Sequence, residues 1–395
     1  MKIITLPHEP AVRWPVFDSE SEAAVLQILR DGNVSTHPVI RELEQDYEAF
    51  TGRRHALAHN NGTSALLAAF HALGLQPGDE ILVPTATFWA SVLPMIWCGI
   101  IPVFCESEPV TLGIDPADMW RKITSRTKAV VIVHLWGLPC QVDEIQQVCD
   151  EFDLRIIEDA SHAHGAVYHG RNCGAVGDIS VFSLQGDKLA PAGEGGILLT
   201  DNADYLERAA CLGDITRIIE LDSPARRFAA TGMGIKTRIA PMSAALGRVS
   251  LRKLTESNRV RNENHRWLSE CLENLGFDCF LPPTGIGRVY FEFLIRHRDP
   301  AFETSRFMDR LQSLGGQVST PRYPLLHEQP LFREGHVARI GRFPEDVRLP
   351  DYAGISFPQT EHENRRLIKL PNFCHPCEKL LEQYRDAFEH AVRSH

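Results

Sequence analysis

The chain has 395 residues with 44% hydrophobic and 23% charged side chains, a profile of ordinary globular proteins and enough for two domains. Its 41 basic against 51 acidic residues leave a net charge of −10. That balance argues against capture of nucleic acid or acidic lipid, both of which need a basic face, and favours small-molecule chemistry.

The opening residues, MKIITLPHEPAVRW, carry one Lys and only a short apolar run, unlike the apolar core of a secretory signal. Ten Cys are scattered without a dense framework, as in reduced cytoplasmic proteins. Cys374-His375-Pro376-Cys377 is a single CxxC with no second pair, so no metal site is expected.

A first helix fits Ser19 to about Leu29. A second follows Pro38, with Val39, Leu43, Tyr47 and Phe50 at helical spacing and Gly52 as its stop. Short apolar runs then recur at His55–His59, Glu80–Pro84, Pro102–Cys105, Ala129–Leu135, Leu154–Glu158, Ile179–Leu184 and Gly196–Thr200. Helical patterns such as Thr63–Leu73 and Val142–Phe152 separate the first five. Strand and helix alternating at this spacing predict a mostly parallel sheet covered on both faces, the α/β class. The uncharged stretch Ile81–Cys105 is long enough to cross a bilayer, but Pro84, Pro94, Gly99 and Pro102 interrupt it. It reads as strand, buried helix and strand, with no membrane span. After Thr200 helices dominate, Arg288–Arg296 reads as a strand and Glu378–Arg393 as a closing helix. The predicted division is a large domain over 1–250 and a smaller α/β domain over 251–395.

Ligands of open parallel sheets bind beyond the carboxyl ends of the strands, so the loops there matter most. After the first strand comes Asn60-Asn61-Gly62-Thr63-Ser64, either an ordinary helix cap or a phosphate cradle built from free N–H groups. The fifth strand ends at Asp159, which either caps the next segment or faces a ligand cation. His162 and His164 would share a face on an extended segment, a spacing that does not by itself make a metal site. Lys188 follows the strand Ile179–Leu184 and precedes the Gly193-Glu194-Gly195-Gly196 turn, in a chain with only eight Lys. A solvated loop Lys is one reading. In a partly dry site it becomes a nucleophile able to form a Schiff base. Taken together, the three loops supply what pyridoxal phosphate needs: an amine for its aldehyde, a carboxylate for its ring nitrogen and a helix start for its phosphate.

At these residues the chain resembles the DegT/DnrJ/EryC1/StrS aminotransferases from about Glu20 to Leu254, and more loosely beyond. The matching motifs are Asn61-Gly62-Thr63-Ser64-Ala65-Leu66, Asp115-Pro116 with Thr127-Lys128-Ala129, and Val133-His134-Leu135-Trp136-Gly137. Glu158-Asp159-Ala160 with His164-Gly165-Ala166, and Phe182-Ser183 through Lys188 to Gly193-Glu194-Gly195-Gly196, complete them. The resemblance implies a fold-type I pyridoxal-phosphate transferase with a seven-stranded sheet. It implies Lys188 as the Schiff-base residue and Asp159 as partner of the ring nitrogen. Gly62, Thr63, Ser64 and Ser183 fall at the phosphate, Phe88 on the ring, and His162 where the family often has Gln. Where the family commonly reads Gly-x-Asn-Tyr-Arg, this chain has Gly234-Ile235-Lys236-Thr237-Arg238. Lys236 thus replaces an Asn that reaches the phosphate of a neighbouring subunit in a homodimer with shared sites. The reaction that the resemblance implies moves an amino group from glutamate or glutamine to a nucleotide-linked keto sugar, with a cyclitol such as an inosose as the alternative acceptor. A dehydratase of the same fold would carry His in place of Lys188. A cofactor-binding regulator without turnover is the remaining alternative.

Overall fold

In the computed structural model, which describes residues 2–393, the apolar runs form a seven-stranded sheet. Its strands are β1 (His55–His59), β2 (Glu80–Pro84), β3 (Ile101–Cys105), β4 (Thr127–Val133), β5 (Arg155–Asp159), β6 (Ile179–Ser183) and β7 (Gly196–Thr200). They lie in the order β1-β7-β6-β5-β4-β2-β3, and only β7 runs antiparallel to its neighbours. The carboxyl ends of the other six therefore meet at one edge of the sheet.

Side chains alternate between two cores, as a two-residue period requires. On β4, Val131 and Val133 join the larger core with Leu66, Phe70 and Met95. Val130 and Ile132 face the opposite way, against Val142, Ile145 and Cys149 of the helix Val142–Phe152. The residues from Ile81 to Cys105 fold as strand, short helix Leu93–Trp97 and strand; the strands and Pro94–Ile96 are largely buried, while Phe88, Trp89 and Trp97 are exposed. No described helix is long and apolar enough to cross a membrane.

A 33-residue helix, Pro241–Glu273, runs from the large sheet to a second core, so residue 250 falls inside a continuous helix. Its Leu268 and Leu272 pack with Phe277, Phe307, Tyr384 and Phe388 around a three-stranded antiparallel sheet of Phe277–Asp278, Phe293–His297 and Ile368–Leu370. Ile4 and Ala11 from the amino-terminal segment join this second core. The strand expected over Arg288–Arg296 begins later, at Phe293. Val289 and Phe291 instead donate their N–H groups to the carbonyls of Gly137 and Trp136, docking that stretch on the loop after β4. Between Leu326 and Leu367 the chain folds back over the β2–β3 edge. Phe332, Tyr352 and Phe357 enter the larger core there, and the Tyr352 hydroxyl bonds the Pro102 carbonyl at 2.8 Å.

Candidate active site

The loops after β1, β2, β5 and β6 enclose a cavity of about 1040 Å³ together with Arg322, Tyr323 and Leu326 from the returning segment. Its floor is the sheet edge, and each polar group on it is delivered by a strand end.

After β1, Asn61 caps the helix Gly62–Ala72 by accepting the Ser64 N–H at 2.8 Å. Gly62 and Thr63 head the helix, where N–H groups have no intrahelical acceptor and face outward with the positive end of the helix dipole. A Cβ on Gly62 would lie 2.8 Å from that of Ser183, so only glycine lets the helix start sit against β6. Both Gly62 and Thr63 line the cavity, as does Ser183; Ser64 does not, its N–H being spent on the cap.

Asp159 ends β5 at 5% exposure. Its Oδ2 accepts the Ser91 hydroxyl at 2.6 Å and its Oδ1 the Ser161 N–H at 3.1 Å. Ser91 in turn lies 3.0 Å from the Thr87 hydroxyl. Phe88, at the cavity mouth, is partly exposed and rests against Trp89 and Tyr323.

Lys188 is 7% exposed, in the turn after β6. Its N–H bonds the Gln185 carbonyl at 2.8 Å, and its own carbonyl accepts from Trp14 Nε1 at 2.9 Å. The ammonium lies 4.2 Å from the centre of the Phe291 ring. Burial pushes its pKa down to about 8; the negative charge of Asp159 opposes that shift and the positive charge of Arg322 adds to it. An amine so placed spends a large fraction of its time neutral near pH 8, the state in which it is a nucleophile and a base.

His162 is buried between aromatic walls, 4.1 Å from Phe291 and 5.6 Å from Trp136 with near-parallel rings. Burial, with Lys188 nearby, drives its pKa well below the usual value, so the ring is neutral. Its Nδ1 accepts the Trp136 N–H at 3.3 Å, which leaves the proton on Nε2, 3.3 Å from the Tyr323 hydroxyl. His164 departs from it, because Ser161–His162 and His164–Gly165 form turns rather than extended chain. Its ring is packed into the core against Phe182 at 4.3 Å.

Lys236 is exposed and outside the cavity lining. Its loop is pinned beside the helix start by Thr237, whose hydroxyl meets His59 Nδ1 at 3.0 Å. The structure thus gathers Lys188, Asp159, Gly62, Thr63, Phe88, His162 and Ser183, and leaves Ser64 and Lys236 outside. It adds Ser91, with Arg322 and Tyr323 from the stretch Thr320–His327 that resembles the family only loosely, and sets Phe291 against Lys188 and His162. Ser91 could have been suspected from its uncharged setting; Arg322 carries no local signal.

The chain that carries this buried amine, strand-end carboxylate and helix start is similar to known proteins over nearly its whole length. Residues 15–363 match the model of the DegT/DnrJ/EryC1/StrS aminotransferase family, and the chain belongs to that family. It is 33% identical to GDP-perosamine synthase of Caulobacter vibrioides over 87% of this chain and 91% of that one. It is 30% identical to the L-glutamine:2-deoxy-scyllo-inosose aminotransferase of Streptoalloteichus tenebrarius, over 90% and 88%. Among solved structures, S. venezuelae DesV in complex with a ketimine intermediate superposes with a TM-score of 0.80 at 28% identity, covering 96% of this chain and 99% of that one. The aminotransferase from Psychrobacter cryohalolentis shares the fold, with a TM-score of 0.85 at 24% identity over 98% and 99%. By family, the chain is an enzyme of the aminotransferase class.

Proposed function

We propose that this enzyme uses pyridoxal phosphate to move an amino group from glutamate or glutamine to a keto sugar, nucleotide-linked or free, or to a cyclitol. The observation that carries this reading is Lys188, buried and pushed toward neutrality, in one cavity with Asp159 and the Gly62-Thr63 helix start. The residues fit the cofactor. Gly62, Thr63 and Ser183 form a cradle for its phosphate, whose dianion suits a helix N-terminus. Asp159 would hold a proton at the ring nitrogen, and Ser91 and Ser161 fix the direction of its carboxylate. Phe88 would pack against the ring, and neutral His162 would meet its hydroxyl. Lys188 holds the aldehyde.

When bound, pyridoxal phosphate supplies the electron sink and stores the amino group between the two substrates. Lys188 Nζ would take the α-proton from the donor and return it on the far side of the amino nitrogen. Its pKa of about 8 keeps both directions of that transfer accessible. The apolar walls of Phe88, Tyr323 and Leu326 limit water at the reacting carbon.

The keto-sugar and cyclitol readings both have support among the relatives, one a perosamine synthase and another an inosose aminotransferase. We assign the working form as a cytoplasmic homodimer in which Lys236 reaches the phosphate of the neighbouring subunit. An exposed cation on a loop pinned beside the cradle supports this.

The test is a half-reaction. The cofactor-loaded enzyme should convert with glutamate or glutamine to its pyridoxamine form, and Lys188→Ala should not. Nucleotide-linked 3- and 4-ketosugars, free ketosugars and inososes are then screened as acceptors. No conversion with either donor would end the reading. Mixing Lys188→Ala with Lys236→Ala subunits, provided that each is impaired, tests the shared site. Activity regained on mixing supports it, and none regained means self-contained subunits.

A further inference from the structure

The donor reading raises a question of charge. An α-amino acid brings a carboxylate into the cavity, while a keto sugar brings none at its reacting end. The cationic residues lining the cavity are Lys188 and Arg322, and Lys188 is committed to the chemistry. Arg322 sits on the irregular segment that crosses from the small sheet to the cavity roof, directly before Tyr323.

Its guanidinium is held from behind. Nε pairs with Glu292 Oε1 at 2.6 Å and Nη1 with Asp187 Oδ2 at 3.1 Å. Nη2 has no partner among the described residues, and the side chain is 38% exposed. Two donor directions of the planar fork are therefore occupied and the third is open, the arrangement suited to receiving a carboxylate.

Glu292 explains how the same cation can serve a reaction whose second substrate lacks that carboxylate. It is 1% exposed and pairs with Lys369 at 2.8 Å as well as with Arg322. Lys369 keeps the buried Glu292 charge matched when Arg322 leans toward the cavity, so the movement strands no charge. With the cavity free of a carboxylate, Glu292 and Asp187 together neutralise Arg322.

We propose that Arg322 anchors the α-carboxylate of the amino donor and so sets donor specificity, with Glu292 and Lys369 as positioning residues behind it. This rests on the aminotransferase reading and adds the residue that recognises the donor. Lysine cannot replace it fully, because a point charge cannot hold Glu292 and a ligand in the same plane.

The experiment compares L-glutamate and L-glutamine with 4-aminobutanoate and 4-aminobutanamide, which lack the α-carboxylate, in the half-reaction of the cofactor-loaded enzyme. In Arg322→Gln, kcat/KM for the two amino acids should fall roughly 10- to 100-fold, the loss of one charge-assisted hydrogen-bonded pair. The values for the two analogues should fall far less, so that the preference for the amino acids over the analogues narrows. Arg322→Lys should recover part of the discrimination. α-Methylglutamate has no α-proton to lose and gives a dissociation constant without turnover; Arg322→Gln should weaken its binding by the same factor. A folded Arg322→Gln enzyme that still prefers the amino acids over the analogues by the parent's factor overturns the assignment and leaves the aminotransferase reading standing. A parent enzyme that reacts with no amino acid overturns both.

Discussion

Glu158 and Asp159 are adjacent buried carboxylates at the end of β5, and the pleat sends them to opposite faces of the sheet. Glu158 is fully engaged. Its oxygens accept from His134 Nε2 at 3.0 Å, from the amides of Gly174, Val176 and Gly177, and from the Ser180 hydroxyl at 2.6 Å. Burial works against its charge, yet the bond and charge of His134 with these donors hold its pKa at about 2. Cys173 lies beside this pair, within a ligand-sized distance. Even so, a carboxylate with every lone pair taken has none to offer an ion. Asp159 has two donors and opens onto the cavity. Two like groups, one bond apart in sequence, are thus sorted into scaffold and chemistry by how many donors surround each.

The comparison can be broken at either carboxylate. Asp159→Asn keeps the shape and removes the charge that retains a proton at the cofactor nitrogen. The half-reaction should slow by roughly a thousandfold or more, equivalent to about 4 kcal/mol, with little change in melting temperature. Stopped-flow spectra and a thermal scan measure both. A variant that unfolds without slowing would give Asp159 the role assigned to Glu158.

Glu158→Gln should do the opposite. The new amide turns a donor toward N–H groups and leaves His134 without its anion, at residues that are 0% exposed. Breaking a buried pair of this kind costs about 3–5 kcal/mol. Denaturant unfolding should show that loss, while the half-reaction per folded site stays near the parent rate.

How much of this was legible beforehand depends on the period of the pattern. The seven strands and the helix Val142–Phe152 follow from apolar runs and turn residues, because each is buried locally by its neighbours. The string Ile156-Ile157-Glu158-Asp159 shows two carboxylates but not their faces; only the alignment with Ser180 and Val181 on β6 assigns them. Lys188, Gly62 and Ser183 were readable because strand ends deliver them to a predictable edge. Arg322 was not, since no strand or helix carries it. The fold-back of residues 326–367 onto β2 and β3, through the Leu326 N–H to the Thr85 carbonyl, sets its place. The strand expected over Arg288–Arg296 started late for a related reason, being claimed at Val289 and Phe291 by the Trp136–Gly137 loop.

Lys188 extends the comparison to a group whose burial opposes its charge. Its folded pKa of about 8 lies below the ordinary value of 10.5, so the folded state binds the proton less well than the unfolded chain. The penalty is full below pH 8 and fades as pH rises from 8 to 10.5, through the window where only the unfolded chain is protonated. Lys188→Met in the cofactor-free protein should therefore be more stable than the parent by up to about 3 kcal/mol at pH 7. That advantage should shrink toward pH 10. Denaturant curves at pH 7, 9 and 10 give the slope, and a variant less stable than the parent at pH 7 would count against a charged, buried amine.

The smallest effect tests what Asp159 does have. Ser91 donates to its Oδ2 at 2.6 Å and stands 3.0 Å from Thr87, so Thr87, Ser91 and Asp159 form a relay that fixes one carboxylate oxygen. Ser91→Ala removes the middle member, but the charge of Asp159 remains and a water molecule has access from the cavity to replace the hydroxyl. The half-reaction should slow by about tenfold, or about 1.4 kcal/mol, the ordinary worth of one hydrogen bond to a charged group. Ser91→Thr keeps a hydroxyl and should recover most of the rate. The stricter measurement is the double variant. If Ser91 acts only by aiming the Asp159 carboxylate, Ser91→Ala should cost little once Asp159→Asn has removed the charge, and the two losses should not add. Additive losses would mean that Ser91 touches the reaction by another route.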